Sequence, residues 1–410
     1  MVRVKRCAFG RLREKRTCTF VPVTVHALQR MHRDRNEHAR AFLHNRLTNA
    51  SPGPPANDPR RCPGPAARFL TTLTAVERVR WGIIGVGDVT ERKSGPGFQQ
   101  AERSELVAVM RRSGDLAADY ARRHDVPRWY DDADELINDP EVDAVYVATP
   151  PDSHREFVVR VARAGKSVYV EKPMARTALE CEDMISACDD AGVGLFVAYY
   201  RRAMPRFATV KELLDSGRIG QLRSVSVRNE RPAQVDEADD GWRVNPEISG
   251  GGHFVDLGSH ILDLLDWLLG PVTYATGIAT NRGARYRAED LVTGVFSFRS
   301  GVEGVGVWNY DSFREKDQVE IIGTAGALRF SCFGEEPLRL RTGGGVQQIE
   351  APYPETVQLP LIQTVVNALT GHGESPSNGH SAVRTARVID TLLADYRDSH
   401  GINYSPATPG

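Results

Sequence analysis

Three side chains near the middle of the chain are of types that can move protons. In SGGGHFVDLGSHILDLLDW (residues 249–267), Asp256, His260 and Asp263 stand at i, i+4 and i+7. They therefore share one face of the helix that the surrounding Phe, Val, Ile and Leu residues predict. An apolar helix carries a buried polar stripe only where something compensates for lost hydration. Three readings are open: a hydrogen-bonded core pair, a metal site, or the acid–base end of an active site. An imidazole titrates near neutrality, which suits His260 to proton transfer. Asp256, one turn earlier, is placed to bind a substrate hydroxyl or to fix the imidazole tautomer. Asp263 reads best as a supporting core residue. Two ligands on one helix with no third nominated elsewhere make a poor metal site, so no metal is expected.

Two further motifs sit where α/β sheets bind ligands. GIIGVGDVT holds Gly85-x-Gly87-x-x-Thr90 directly after a β-rich run. The first glycine allows a tight turn, and the second lets a pyrophosphate approach backbone N–H groups. Thr90 replaces the third glycine, which predicts a looser helix–strand contact, and KSGPG (residues 93–97) should interrupt the helix early. An acidic residue for the ribose hydroxyls is expected after the second strand, but MRRSGD gives Arg111, Arg112 and Ser113. Those donors suit a 2′-phosphate, so NADP(H) is favoured, with NAD(H) possible. In YVEKPMA, Lys172 follows an apolar strand and so points to the same crevice, where a cation stabilises alkoxide charge. Weaker candidates are His154 in TPPDSH, beside the nicotinamide or merely on a capped helix start, and Trp242 and Arg243 in GWRVNP, facing the cofactor or an anionic substrate.

The elements that must carry these residues form two zones. From residue 76 to about 202, short apolar runs such as VDAVYVATP and SVYVEKP alternate with amphipathic stretches, predicting a parallel α/β sheet. From 203 to 398, strand-like runs including LRSVSVRNE, LVTGVFSFRS and GVEGVGVWNY are separated by turns with few helices, predicting an antiparallel sheet closed by a helix in SAVRTARVIDTLLADYRD. Residues 399–410 form a tail. Residues 1–75 hold fifteen Lys/Arg against four Asp/Glu and a Pro/Gly-rich run, and are read as a basic extension outside the fold. The formal net charge of −1 gives no reason to expect nucleic acid as a partner, and no apolar run approaches the roughly 20 residues of a membrane span. Six scattered cysteines without a C-x-x-C pair predict a reduced, cytoplasmic chain.

GIIGVGD, VYVATPPDSH, AGKSVYVEKPMA, YYRRAMPRF, WRVNPEISGGGHFVDLGSH and IIGTAGALRF occur in this order. Together they resemble the glucose–fructose oxidoreductase / inositol dehydrogenase family (Gfo/Idh/MocA) over residues 76–398. The resemblance implies an α/β fold: an N-terminal Rossmann dinucleotide-binding domain, then an α+β domain with a large open-faced, mainly antiparallel sheet. It implies hydride transfer between NAD(P) and a hydroxyl-bearing carbon of a sugar, cyclitol or related diol. Lys172, Asp256 and His260 would contact the reacting group. The cofactor would meet Gly85, Gly87, Asp88, Val89, Arg111, Arg112, Ser113, Thr149, Pro150, His154, Glu171 and Lys172. Tyr200, Arg201, Trp242 and Arg243 would line the polyhydroxylated substrate, although Tyr200 stands where the family often has Asn or His. Dimers or tetramers built through the open sheet face are implied as well. A redox-neutral glycosidase that keeps its NAD, and a non-catalytic NADP-binding sensor, are the competing functions.

Overall fold

The computed structural model describes residues 77–233 and 241–404; the basic segment 1–75 lies outside them. Its first zone alternates strands and helices in the order β1 (Val79–Ile84), α1 (Asp88–Arg92), α2 (Gly95–Gln100), β2 (Ser104–Met110), α3 (Gly114–Arg123), β3 (Arg128–Tyr130), α4 (Ala133–Asn138), β4 (Ala144–Val147), α5 (His154–Arg163), β5 (Ser167–Val170), α6 (Ala178–Ala191) and β6 (Leu195–Val197). Every residue of β4 and β5 is buried, as expected for parallel strands covered on both faces. The strands are all parallel, in the order β3-β2-β1-β4-β5-β6. Strand order therefore reverses between β1 and β4, and a crevice opens there at the carboxyl ends.

The helix after β1 breaks into α1 and α2 at Lys93–Ser94, where KSGPG predicts it. β3 has no apolar run to announce it, because it is a three-residue edge strand. VGLFVAYY is strand only to Val197; Tyr200–Ala203 turns into a short helical turn that leads to α7 (Pro205–Asp215).

The second zone contains β7 (Leu222–Glu230), the short α8 (Pro246–Ser249), a π-helical turn Phe254–Gly258 running into α9 (Ser259–Leu269), then β8 (Val272–Thr280), β9 (Leu291–Phe298), β10 (Glu303–Asn309), β11 (Lys316–Gly323), β12 (Gly326–Phe330), β13 (Leu338–Thr342) and β14 (Gly345–Ile349). Its eight strands run β14-β13-β12-β11-β7-β10-β9-β8 and are antiparallel except for the parallel β7–β10 pair. Alternation along β9 and β10 buries one side of the sheet and leaves the other open.

Two closing helices, α10 (Leu359–Leu369) and α11 (Gly379–Ser399), complete the chain. The α10 helix is not among the sequence expectations, although LPLIQTVVNAL has helical spacing, with Leu361, Ile362, Val365, Val366 and Leu369 buried and Gln363, Thr364 and Asn367 on the other face. It packs on α2, and α11 packs on α6 and β8. The Ser377 hydroxyl donates to the Val197 carbonyl at 2.7 Å, which ties the segment before α11 to the edge strand of the parallel sheet. The C-terminal helices thus brace both sheets, which belong to one compact unit.

Candidate active site

A cleft of about 400 Å³ opens at the carboxyl ends of β1, β4 and β5 and is closed from the other side by the π-turn, α9 and the loop after β12. Its floor is the glycine turn. Gly85 has φ +92, and a side chain there would press into Thr149 at 2.7 Å. Gly85 and Val86 donate to the Met110 carbonyl, which joins the turn to the end of β2. At Gly87 a Cβ would meet nothing within 4 Å, so the backbone borders open space, as a bound pyrophosphate requires. Asp88, Val89, Thr149 and Pro150 line the same cleft.

Thr90 closes the glycine turn in place of the third glycine. It is fully buried, its hydroxyl donates to the Gly87 carbonyl and accepts from the Gly87 N–H, both at 2.9 Å, and its own carbonyl accepts from the Tyr120 hydroxyl at 3.1 Å. Close packing is provided instead by Gly95, where a Cβ would fall 2.1 Å from the Thr90 carbonyl oxygen.

On the opposite wall the Lys172 ammonium is hydrogen-bonded to the Asp256 carboxylate and, at 3.2 Å, to the Asp256 carbonyl. Burial alone would raise the Asp256 carboxyl; the adjacent Lys172 outweighs it and holds the group below the usual aspartate range. Asp256 therefore pairs with Lys172 and does not fix the imidazole of His260. Glu171, also buried, accepts from Tyr146 at 2.6 Å, from Gln358 at 2.8 Å and from the Lys172 N–H at 3.0 Å, and so locks the backbone that carries Lys172. His260 lines the cleft at 4% exposure, and its Nδ1 has no hydrogen-bond partner among the described residues. Burial, reinforced by the positive charges of Arg201, Lys172 and Lys93, holds its pKa well below the usual histidine value. The imidazole is neutral at neutral pH and able to accept a proton.

Tyr200, Arg201, Trp242 and Arg243 also line the cleft. The Tyr200 ring packs edge-on to His260 at 5.3 Å, and the Arg243 guanidinium lies 4.6 Å from the centre of the Trp242 ring. Lys93, Phe333 and Gln358 complete the wall without having been singled out in the sequence. Only Lys93, in KSGPG beside the glycine turn, carried a signal there.

Several expected residues lie elsewhere. His154 is wholly buried and does not border the cleft: Nε2 faces the Thr149 carbonyl at 2.7 Å, and Nδ1 faces the Pro173 and Met174 carbonyls at 3.2 and 3.1 Å. It braces the loop after β4 against the loop after β5 and is neither a solvated helix start nor a nicotinamide contact. Arg111, Arg112 and Ser113 are exposed beyond β2, outside the cleft wall, and neither guanidinium has an ion-pair partner among the described residues. The glycines Gly250–Gly252, ahead of the helix that carries Asp256 and His260, lie outside the cleft lining. A Cβ at Gly250 would fall 2.8 Å from the Arg176 backbone, and Gly252 packs on Glu289 and donates to its carboxylate at 2.8 Å. Asp263 turns into the core, where Arg202 grips both of its oxygens at 2.7 and 2.8 Å. Among the described residues, no group of three or more His, Cys, Asp or Glu side chains is arranged to hold a metal ion.

Residues 79–199 match the oxidoreductase family with an NAD-binding Rossmann fold, and residues 207–329 match the GFO/IDH/MocA C-terminal domain. The chain belongs to the Gfo/Idh/MocA oxidoreductase family. "Oxidoreductase P35" of Formosa agariphila is 36% identical over 319 residues, covering 77% of this chain and 98% of that protein. The 1,5-anhydro-D-fructose reductase of Ensifer adhaerens is 30% identical, covering 74% of this chain and 92% of the reductase. Among solved structures, the aldose–aldose oxidoreductase of Caulobacter crescentus, complexed with glycerol, aligns with a TM-score of 0.70 at 28% identity, covering 78% of this chain and 98% of that one. As a Gfo/Idh/MocA member the chain is an NAD(P)-binding oxidoreductase, so the non-catalytic sensor reading is set aside.

Proposed function

We propose that this Gfo/Idh/MocA enzyme oxidises a secondary hydroxyl of a sugar, cyclitol or related diol, or reduces the corresponding carbonyl, with His260 and Lys172 handling proton and charge. The observation that carries this reading is the convergence of a buried His260, an ion-paired Lys172–Asp256 and the glycine turn on one cleft. Relatives named as a 1,5-anhydro-D-fructose reductase and a D-apiose dehydrogenase support the polyhydroxylated class. The nicotinamide cofactor, when bound, supplies the hydride acceptor or donor. Gly85, Gly87, Asp88, Val89, Thr149 and Pro150 would hold its phosphates and nicotinamide half, and Arg111, Arg112 and Ser113 would take a 2′-phosphate, which favours NADP(H).

In the oxidative direction the neutral His260 removes the hydroxyl proton at Nε2. The Lys172 ammonium, held in place by Asp256, stabilises the developing alkoxide, and the carbon becomes a carbonyl as its hydride leaves. In reduction the same atoms act in reverse. Oxidation of one alcohol thus yields one carbonyl compound, one reduced cofactor and one proton. The open face of the second sheet is, in this reading, where subunits associate into a dimer or tetramer.

The test is a panel of polyols, aldoses, keto-sugars and diols assayed in both directions with NADP(H) and NAD(H), read by nicotinamide absorbance. Lys172→Ala and His260→Ala should each lower kcat by about 10²–10⁴ while cofactor affinity is retained. Arg111→Ala with Arg112→Ala should weaken NADPH far more than NADH. Unchanged turnover in both catalytic variants sinks the mechanism, and equal cofactor losses sink the 2′-phosphate assignment.

A further inference from the structure

Two adjacent arginines at the end of the parallel sheet are equally buried, at 4% exposure each, yet are treated differently. Arg202 is gripped by Asp263 and Asp266. Arg201 has no carboxylate partner among the described residues: its Nε donates to the Cys332 carbonyl at 3.0 Å, and its buried Nη1 has no partner. A third buried arginine, Arg206, uses both terminal nitrogens on the carbonyls of Ala351 and Glu336 and does not border the cleft. Among the described arginines, only Arg201 combines burial, an unpaired terminal donor and a place in the cleft wall. Leaving a charged donor buried and unpaired is costly, so such a group is retained where a ligand completes it.

The surroundings define that ligand. The Arg201 guanidinium lies 5.0 Å from the centre of the Tyr200 ring and 4.4 Å from that of Phe333, and both rings pack edge-on around His260. An anion meeting Arg201 therefore stands on the side of the cleft where the reacting hydroxyl meets His260. Of the three acids that line the cleft among the described residues, Asp256 is engaged by Lys172, Glu171 by Tyr146 and Gln358, and Asp88 by Arg92 at 3.0 Å, while Lys93 and Arg243 add further positive charge. With Nε already bonded to the Cys332 carbonyl, the two terminal nitrogens are left, a two-pronged donor set that matches the two oxygens of a planar carboxylate.

We propose that the polyol substrate carries a carboxylate, as aldonic and uronic acids do, and that Arg201 binds it. This rests on the hydride-transfer reading above and narrows its substrate class. The experiment compares matched compounds with the full-length wild-type enzyme: glucuronate against glucuronamide and glucose, gluconate against glucitol, and glucose 6-phosphate as the phosphate arm. Acids should exceed their neutral partners at least tenfold in kcat/KM. Arg201→Met should abolish that preference by raising KM for the acids, and Arg201→Lys should recover part of it. Neutral partners matching the acids in the wild type, or the phosphate ester exceeding both, would overturn the proposal even if the buried substitution prevents folding. If no polyol is turned over with either cofactor, the functional reading itself falls. Calorimetric binding of glucuronate against glucuronamide, in the presence of NADP⁺, then decides the carboxylate contact, and equal affinities overturn it.

Discussion

His260 is an imidazole kept neutral by its surroundings. It is buried, and Arg201, Lys172 and Lys93 set positive charge near it, with Asp256 on Lys172 offsetting part of that charge. Protonation removes the base, so oxidation should fail as pH drops through the depressed pKa of His260. The acidic limb of kcat/KM for oxidation should therefore lie below the ordinary histidine value of about 6.5. Replacing Lys93 by Met removes one positive neighbour and should move that limb to higher pH. A limb at or above the ordinary value, unmoved in Lys93→Met, would mean that His260 is not the base. Lys172, Asp256 and His260 were each legible in the sequence because each sits in a contiguous motif. That Asp256 binds Lys172 and not His260 was not legible, since the two partners are 84 residues apart and only the closing of the two sheets brings them together. Phe333 and Gln358 escaped notice for the same reason: they enter the cleft from loops that carry no motif.

At the level of elements, the helix bearing these groups is not one regular helix. Phe254–Gly258 is a π-turn, and the extra residue it takes in lets Asp256 face Lys172 while Asp263, two turns on, faces Arg202. The simple i, i+4, i+7 stripe predicted from spacing is thereby split between cleft and core. Nothing in the composition of FVDLG distinguishes a π-turn from an α-turn. The apolar strands were legible from their continuous or alternating patterns; β3 and α10 were not, one being too short and the other emerging from the proline-rich APYPETVQLP, whose turn signals mask its start.

Asp263 and Asp266 hold Arg202, and Asp266 also takes Arg384 of α11 at 2.9 and 2.5 Å, so this cluster clamps α9 to the last helix. Burial raises the Asp263 carboxyl and Arg202 opposes it, as expected for an ion pair whose desolvation offsets much of its attraction. Removing one partner is nonetheless costly, because a cation stays buried. Asp263→Ala should destabilise the protein by about 3 kcal/mol, the low end for a broken buried pair, since Arg202 keeps Asp266. A urea unfolding midpoint unchanged from wild type would show that the clamp contributes nothing.

For the whole molecule, the second sheet has two unlike faces. Its inner side carries buried residues such as Val292, Phe296 and Trp308, all at 2% exposure or less. Its outer side presents Tyr274, Ile278, Val295, Val305 and Ile322, between 42% and 67% exposed. Register places Val305 beside Val295, which in turn pairs with Thr276 between Tyr274 and Ile278, so these apolar side chains cluster on one face among small polar ones. A patch of this kind on a flat sheet is what an association surface requires. None of these residues lines the cleft, so association and chemistry are separable by mutation. Val295→Glu with Val305→Glu places adjacent carboxylates at the centre of the patch, where each subunit would meet the same charges on its partner. Light scattering should show a wild-type oligomer and a mutant monomer that still binds cofactor. A wild-type monomer, or a double mutant of unchanged mass, would exclude this face as the interface.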